Sequence, residues 1–453
     1  MGKKPSKLVG MTIEAFDSLL KSGDEVLVRK ARLIPFYKPG DEMAIASILL
    51  AALRLVNEFR SHVFKTIGLS RSVKTRYYAE AEFKLFDSQR VDGLIIVVKG
   101  KKIVDAVLVE VKNKNVDLDA SQIQRYLEIA KAYGIPRLLT VSNQFVSFPT
   151  QSPVSVRVPK TISLFHLSWS YLLTIAHILL AEKELSIDDQ DQVEIMKEVV
   201  QYFESPQSGI VGRSQMKSGW VEVSQKANSG TTLKQSEECV EETVYSWLQE
   251  ERDIALILSR ELGLLVDSGK TKFKHDLTGR VKAEKKQLVS EKALFSTLQI
   301  KDAATSLDVA VMFATKNVAM SSSLRPPSSK LARGQISWLR NQLLRAERMS
   351  PDVFERIKDS LFIDLNLKFV KQPVRIPWAE LEYAHDHVAG RDIKAFTVVH
   401  QRFLGRRFES RKNVIVDIES MVLDFYQGVL QYLKKWENPA PKLKARKEES
   451  DAR

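Results

Sequence analysis

The sequence predicts a mixed α/β fold for its N-terminal part, and three observations carry that expectation. A strongly apolar helical run opens at Asp41 and Glu42 and extends to about Phe64. Three strand-like runs follow between Lys74 and Lys112. A capped helix from Asp119 or Ser121 to Tyr133 then leads into a further strand at Arg137–Val141. Strands and helices that alternate in this way pack as helices against a sheet.

The first helix places its acids in its first turn, where the positive end of the helix dipole favours them. Arg54, Glu58 and Arg60 are its charged residues further along, and Gly68 and Ser70 end it. In the run Lys74–Phe86, Glu80 and Glu82 fall on one face and Ala79, Ala81 and Phe83 on the other, as in a half-buried strand. Asp92–Val98 and Ile103–Lys112 are joined by Lys99-Gly100-Lys101-Lys102, a short glycine-containing connection that signals a hairpin. The helix after them stops at Gly134, with Pro136 just beyond. Thr161–Ala181 has no charged residue and is about long enough to span a bilayer. It also holds Ser163, His166, Ser168, Ser170, Thr174 and His177, so a buried strand at Ile162–Phe165 and a helix capped by Ser168 are expected there, and no membrane partner.

With 453 residues the chain exceeds one ordinary core and reads as two or three domains. The expected division is an N-terminal extension (1–40), the α/β core (41–200), a Ser/Gly/Gln/Lys-rich linker or loose hairpin (201–236), an α+β domain of unassigned role (237–437) and a disordered charged tail (438–453). The α+β domain offers a surface for a homo-oligomer or a protein partner. A 44% hydrophobic and 28% charged composition is that of a globular protein. The single cysteine, Cys239, excludes an internal disulfide and a cysteine-rich zinc site and fits a reducing cytoplasm. No apolar stretch follows the basic residues of Met1–Lys7, so a secretory signal is not expected. Gly2 and Ser6 fit a myristoylation pattern, but six residues are too short a match to predict an anchor. Net charge is +13, unevenly placed: residues 1–180 carry 26 Lys/Arg against 16 Asp/Glu, and the remainder 43 against 40. A polyanion is therefore favoured as partner of the N-terminal part.

The chemistry concentrates in 90–126. Residues two apart on a strand share a face, so Glu110 and Lys112 project to one side. Asp92 begins the neighbouring strand of the hairpin and can converge with Glu110 at one end of the sheet. Two carboxylates there can hold Mg²⁺, a hard cation that prefers oxygen ligands and keeps positions open for water and phosphate. Lys112 can orient a water or stabilise charge on a phosphate. A buried apolar strand ending in Glu-x-Lys is costly unless the charges are paired or used. The alternative for that tripeptide alone is a plain ion pair at the strand mouth.

The order helix, strand, strand with Asp92, strand with Glu110-Val-Lys112, helix, strand resembles the core of the PD-(D/E)XK nuclease superfamily over about residues 42–183. That resemblance implies a restriction-endonuclease-like mixed sheet flanked by helices, and hydrolysis of phosphodiester bonds, most readily those of DNA, in a defence or repair setting. It implies Asp92 and Glu110 as ligands of Mg²⁺ (or Mn²⁺), and Lys112 as the catalytic lysine. Gln122 and Tyr126 match the Gln-x-x-x-Tyr helix motif of the exonuclease branch, whose side chains face the substrate. Glu58 matches, with weaker support, the acid that many members carry on the first helix. Val91 stands where the name-giving proline would be. The rival expectation is a catalytically inactive nuclease-like module that binds nucleic acid or supports assembly.

Other motifs carry less. Gly263–Thr271 resembles a phosphate-binding loop but has five residues between its glycines where four are needed. His275-Asp276 and His385-Asp386-His387 lack further ligands at helical spacing. Acidic neighbours disfavour a thiolate at Cys239.

Overall fold

The computed structural model describes all residues except 1–3, 31–32, 34–37, 39, 71–73, 115, 147, 182–185, 211, 213, 270–272, 274–275, 329, 389 and 438–453. The expected charged tail, His275, the Lys-Thr end of the glycine motif and Asn115 thus lie outside the described residues; the sequence places Asn115 with Asn113, which is described, on a polar rim around the site after Lys112. The chain runs α1 (Ile13–Ser22), β1 (Val26–Lys30), α2 (Glu42–Leu55), α3 (Asn57–Thr66), β2 (Lys74–Phe83), β3 (Gln89–Lys99), β4 (Lys102–Val111), α4 (Ala120–Tyr133), β5 (Arg137–Ser142), β6 (Ser163–Ser168), α5 (Trp169–Leu180) and α6 (Gln190–Glu204). It continues through α7 (Gly219–Asn228), α8 (Glu238–Leu262), β7 (Asp267–Ser268), α9 (Leu277–Glu291) and β8 (Ala293–Gln299). Beyond these come β9 (Leu307–Met312), β10 (Asn317–Leu324), α10 (Ala332–Met349), α11 (Pro351–Ile357), β11 (Leu361–Leu367), β12 (Val374–Pro377), β13 (Ile393–Phe403), α12 (Arg406–Glu409) and α13 (Asn413–Gly428).

Two compact units result. The first comprises the chain up to Lys301 with 312–316 and 404–419; the second comprises 302–311, 317–403 and the chain from Ser420. In the first unit six strands form a mixed sheet in the order β1-β2-β3-β4-β5-β6. β1 to β4 pair antiparallel, and β4-β5 and β5-β6 pair parallel. The expected α/β class therefore holds for this part of the chain. In the second unit the strands are ordered β12-β11-β13-β10-β9, and α10 and α11 accompany them.

The period-two rule positions the mixed sheet between two apolar layers. Odd-numbered residues of the central strands (Ile95, Val97, Val107, Val109, Val111, Leu139, Val141) pack with α2, α3 and α5. Even-numbered ones (Leu94, Ile96, Leu108, Leu138, Leu164) pack with α4 and α1. A central strand covered on both faces reads as a continuous apolar run, as β4 does. Gly93 lets α2 approach closely, because a Cβ there would meet Leu50 Cδ1 at 2.8 Å.

Local signals are honoured where they set an end. Asp119 caps α4 by accepting from the Gln122 amide, and Gly134 closes it at φ 65°. Ser168 caps α5 by accepting from the Tyr171 amide. At 12 residues α5 is about 18 Å long, well short of a bilayer. No helix among the described residues is long and apolar enough to cross a membrane.

Other expectations are corrected. The single helix through Phe64 is two, broken at Val56, whose backbone is extended (φ −111°, ψ 109°). The Arg60 guanidinium donates to the Leu53 and Arg54 carbonyls at 3.3 and 3.2 Å, partnering groups that the break releases. Residues 1–40, expected as an extension, contribute α1 and the edge strand β1. Residues 201–236, expected as a linker or loose hairpin, contain α7, held by the buried Trp220, whose indole donates to Phe408 O at 2.8 Å. The boundary expected near 200 falls within the first unit. There α8 lies on α5, with the Arg252 guanidinium 5.5 Å above the Tyr171 ring.

Candidate active site

Strand register brings the two carboxylates together. Gly93 pairs with Val109, so one step further along the antiparallel hairpin Asp92 stands across from Glu110. Asp92 Oδ2 accepts from the Val111 amide at 2.8 Å, so a side chain takes over where the backbone ladder ends. On the other flank of β3, Ala79 pairs with Gly93 and Ala81 with Val91, and between them Glu80 has φ 50°. A non-glycine residue at positive φ opposite Asp92 is a local irregularity of the kind that re-aims a strand side chain near a site. Glu80 itself turns to Arg29, at 2.9 Å.

Lys112 lies between two acids. Its ammonium is 3.0 Å from Glu110 Oε1 and donates to Glu42 Oε2 at 2.8 Å. The backbone of Lys112 is clamped from both sides: its amide donates to Val141 O at 2.8 Å, and its carbonyl accepts the Trp169 indole at 2.8 Å. The expected helix carboxylate, Glu58, begins α3. It is separated from the site by the length of α2, about 21 Å of helix. The helix acid that meets Lys112 is Glu42, in the first turn of α2.

Gln122 and Tyr126 form one chain. Gln122 Nε2 donates to the Tyr126 hydroxyl at 2.8 Å, and that hydroxyl donates to Arg90 O at 2.9 Å. Tyr126 is only 1% exposed, so its ring belongs to the core and its hydroxyl ties α4 to β3 two residues before Asp92. Both side chains thus help to hold the strand that carries Asp92, and the Tyr126 hydroxyl also adjoins the carboxylates: burial, and then the Glu110 and Asp92 charges, raise it above its ordinary range. Loss of a buried hydrogen bond of this kind costs about 1–3 kcal/mol. Tyr126→Phe is expected to lower stability by that amount in urea titration and to shift the amide resonance of Asp92. Asn113, expected on a polar rim, donates instead to the Gly40 and Ser208 carbonyls at 2.8 and 2.7 Å and fastens the loop after α6.

The electrostatics mark the carboxylates as strained. Burial, before any other cause, raises the Asp92 carboxyl to about 6, against the opposing pull of the Val111 amide and Lys112. Burial and then the Asp92 charge raise Glu110 well above the ordinary carboxylate range, with Lys112 opposing. Asp92 is partly open to solvent, whereas Glu110 is 1% exposed. Neither Glu110 oxygen receives a well-directed hydrogen bond; the Lys112 contact is an ion pair without that geometry. Burial lowers the affinity of Lys112 for its proton, but Glu110 and Glu42 outweigh this and raise it. Lys112 is therefore a fixed positive charge at neutral pH, not a base.

Other clusters are already satisfied. His166 lies in the same row as Glu110 and Thr140 across β4, β5 and β6. Burial lowers it to about 4, and both ring nitrogens are partnered, by Thr140 Oγ1 and Gln144 O at 2.9 Å each. Glu222, Glu237 and Cys239 converge closely enough to hold an ion, but the Lys226 ammonium is 2.7 Å from each of the two carboxylates. Burial, with the two acids, pushes the Cys239 thiol up to about 11. His385 differs in that its Nε2 contacts the exposed Asp386 at 3.2 Å near the end of the 3₁₀ helix Trp378–His387, while its Nδ1 is buried without a hydrogen bond; one carboxylate beside it makes no ligand set.

The sequence pointed to Asp92, Glu110 and Lys112, which the fold brings together. It did not point to Glu42, whose position in a first turn reads as a dipole partner, nor to the Trp169 indole. Compared with protein-family models, curated proteins and solved structures, the chain matches none.

Proposed function

We propose that the first unit is a metal-dependent phosphodiesterase of the PD-(D/E)XK type, acting on DNA. The observation that carries this reading is the pair Asp92 and Glu110, set across from each other with Lys112 at 3.0 Å and with no donor well placed on either Glu110 oxygen. The sheet order with helices α2 and α4 on opposite faces, and the Asp, Glu-x-Lys and Gln-x-x-x-Tyr residues at one end of it, support the same reading. So does the positive charge of residues 1–180.

The residues fit a hard divalent cation. Two adjacent carboxylates in a poorly solvated place repel each other and bind protons too readily, and a cation between them removes both costs. Asp92 and Glu110 would hold Mg²⁺ or Mn²⁺, which supplies Lewis acidity and a readily ionised water at neutral pH. The chain supplies the rest. Lys112, protonated throughout, neutralises charge that builds on the phosphate oxygens as water adds to phosphorus and the bridging ester bond breaks. Glu42 holds the lysine in place, and Tyr126 with Gln122 holds the strand of Asp92.

Metal binding is expected to depend on pH with a definite sign. The carboxylates must be deprotonated to ligate, so affinity for Mg²⁺ rises as pH increases through about 6 and protons are released. Calorimetry at pH 5.5 and 7.5 in buffers of differing ionisation enthalpy measures both. Affinity independent of pH would remove Asp92 from the ligand set. The functional test is cleavage of labelled DNA and RNA with and without Mg²⁺, wild type beside Asp92→Ala. Metal-dependent cleavage by the wild type alone is expected.

A further inference from the structure

A cavity of about 350 Å³ opens between the segment that follows β5 and the face of α8. Its apolar walls come from Phe145, Val154, Leu277 and the ring of Tyr245. Two carboxamides, Gln151 and Gln249, and the Ser152 hydroxyl supply polar edges. Gln249 Nε2 donates to Phe145 O at 3.0 Å, which joins the two walls. Lys217 is the cation of the lining, and no acid lines the cavity among the described residues. A second cavity, of about 380 Å³, shares Tyr245 and Leu277 with the first and adds Lys282, Lys285 and Glu241, the last two paired at 2.7 Å. Such volumes are those of small-molecule sites.

The position follows from bonded neighbours. Lys112 N donates to Val141 O, and Phe145 is four residues further on, at most about 14 Å along the chain. Gln144 Oε1 accepts the Leu118 amide at 3.1 Å, so the same segment abuts the N-terminal end of α4, which carries Gln122. At 3.4 Å per nucleotide of a stacked strand, the cavity is within about five nucleotides of the candidate centre.

We propose that this cavity receives one unpaired nucleobase, with its phosphate at Lys217. The inference rests on the phosphodiesterase reading for the source of the base. Apolar walls with an aromatic ring suit base stacking, which tolerates any base. Carboxamides both donate and accept, as the Watson–Crick edge of an unpaired base requires. The lack of an acid and the single lysine suit the adjacent phosphate. A polynucleotide strand and a free mononucleotide present the same chemistry.

The test is fluorescence binding in EDTA, so that no cleavage intervenes, with a 12-nucleotide single strand carrying one 2-aminopurine and, separately, with 2-aminopurine riboside 5′-monophosphate. Wild-type protein should quench the strand probe. Tyr245→Ala should weaken binding about tenfold or more without changing the salt slope, since stacking is lost and no charge. Lys217→Met, an exposed change that leaves the walls intact, should lower the slope by about 0.7. Binding of the monophosphate with the same Tyr245 dependence would assign a free nucleotide as source; binding of the strand alone would assign a polynucleotide. Either supports the pocket. Strand binding insensitive to both variants, or no quenching of either probe, overturns it. Failure of Mg²⁺-dependent cleavage bears on the phosphodiesterase reading and leaves this binding result standing.

Discussion

Asp92→Asn and Glu110→Gln should lose metal-dependent cleavage to background and should nevertheless be more stable than the wild type in metal-free buffer at pH 8. The activity follows from the ligand set: an amide oxygen is neutral, and one remaining carboxylate holds Mg²⁺ weakly. The stability follows from the repulsion. Asp92 and Glu110 both bind protons more readily in the folded chain than in the unfolded one. Between pH 4 and the folded values the native state therefore holds more protons, and stability falls as pH rises through about 6. Asp92→Asn keeps an oxygen for the Val111 amide, leaves Lys112 to neutralise Glu110, and removes the repulsion. Its thermal midpoint should exceed that of the wild type by several degrees at pH 8 in EDTA, and the two should converge near pH 4. Saturating Mg²⁺ should raise the wild type and leave the variant unchanged. If the pair served only as part of an ion-pair network, the variant would be destabilised at pH 8 and Mg²⁺ would raise both proteins equally. That pattern is the one that would refute the assignment.

Lys112→Met should behave in the opposite sense. The change keeps an unbranched apolar stem, one atom shorter, and removes a charge that lies between Glu42 and Glu110. Without it the acids face each other unneutralised, and removing one partner of a buried pair costs about 3–5 kcal/mol. The partial exposure of Glu42, 31% at its side chain, places the cost at the lower end of that range. In EDTA at pH 8 the variant should therefore melt below the wild type, and Mg²⁺ should restore much of the difference by supplying positive charge. Metal affinity should persist, because Lys112 is no ligand, while the cleavage rate at saturating Mg²⁺ falls about 10²- to 10³-fold. Single-turnover measurements separate this loss from weaker binding. A wild-type rate at saturating Mg²⁺ would make Lys112 a structural ion-pair residue and nothing more.

Much of the first unit was legible because its signals are local. Alternation in β2, the glycine of the β3–β4 connection, the Asp119 and Ser168 caps and Gly134 each act within a few residues, so they can be read without knowing the fold. Asp92, Glu110 and Lys112 were legible for the same reason: a hairpin relates them, and strand period fixes which side chains share a face. Helix α7 was hidden by a polar, glycine- and serine-rich composition. Its stability comes from Trp220, buried against Phe313 and Phe408 at ring separations of 4.7 and 5.6 Å, contacts that lie far along the chain. Tyr126 reads from the sequence as a substrate-facing side chain; that its buried hydroxyl also ties α4 to Arg90 of β3 is set by packing that no local signal reports.

The amino-acid sequence by itself determined the α/β pattern of the first unit and the three candidate site residues at the end of its central strands, because propensity, period and caps are properties of short segments. Tertiary structure alone decided that Glu42 rather than Glu58 meets Lys112, across 70 residues of chain, and that α2 ends at Val56. It also decided that α8 folds with the sheet that carries the site. These outcomes depend on which surfaces come to face each other when the apolar layers close. A charged side chain finds its partner only after that packing has set the distance between them.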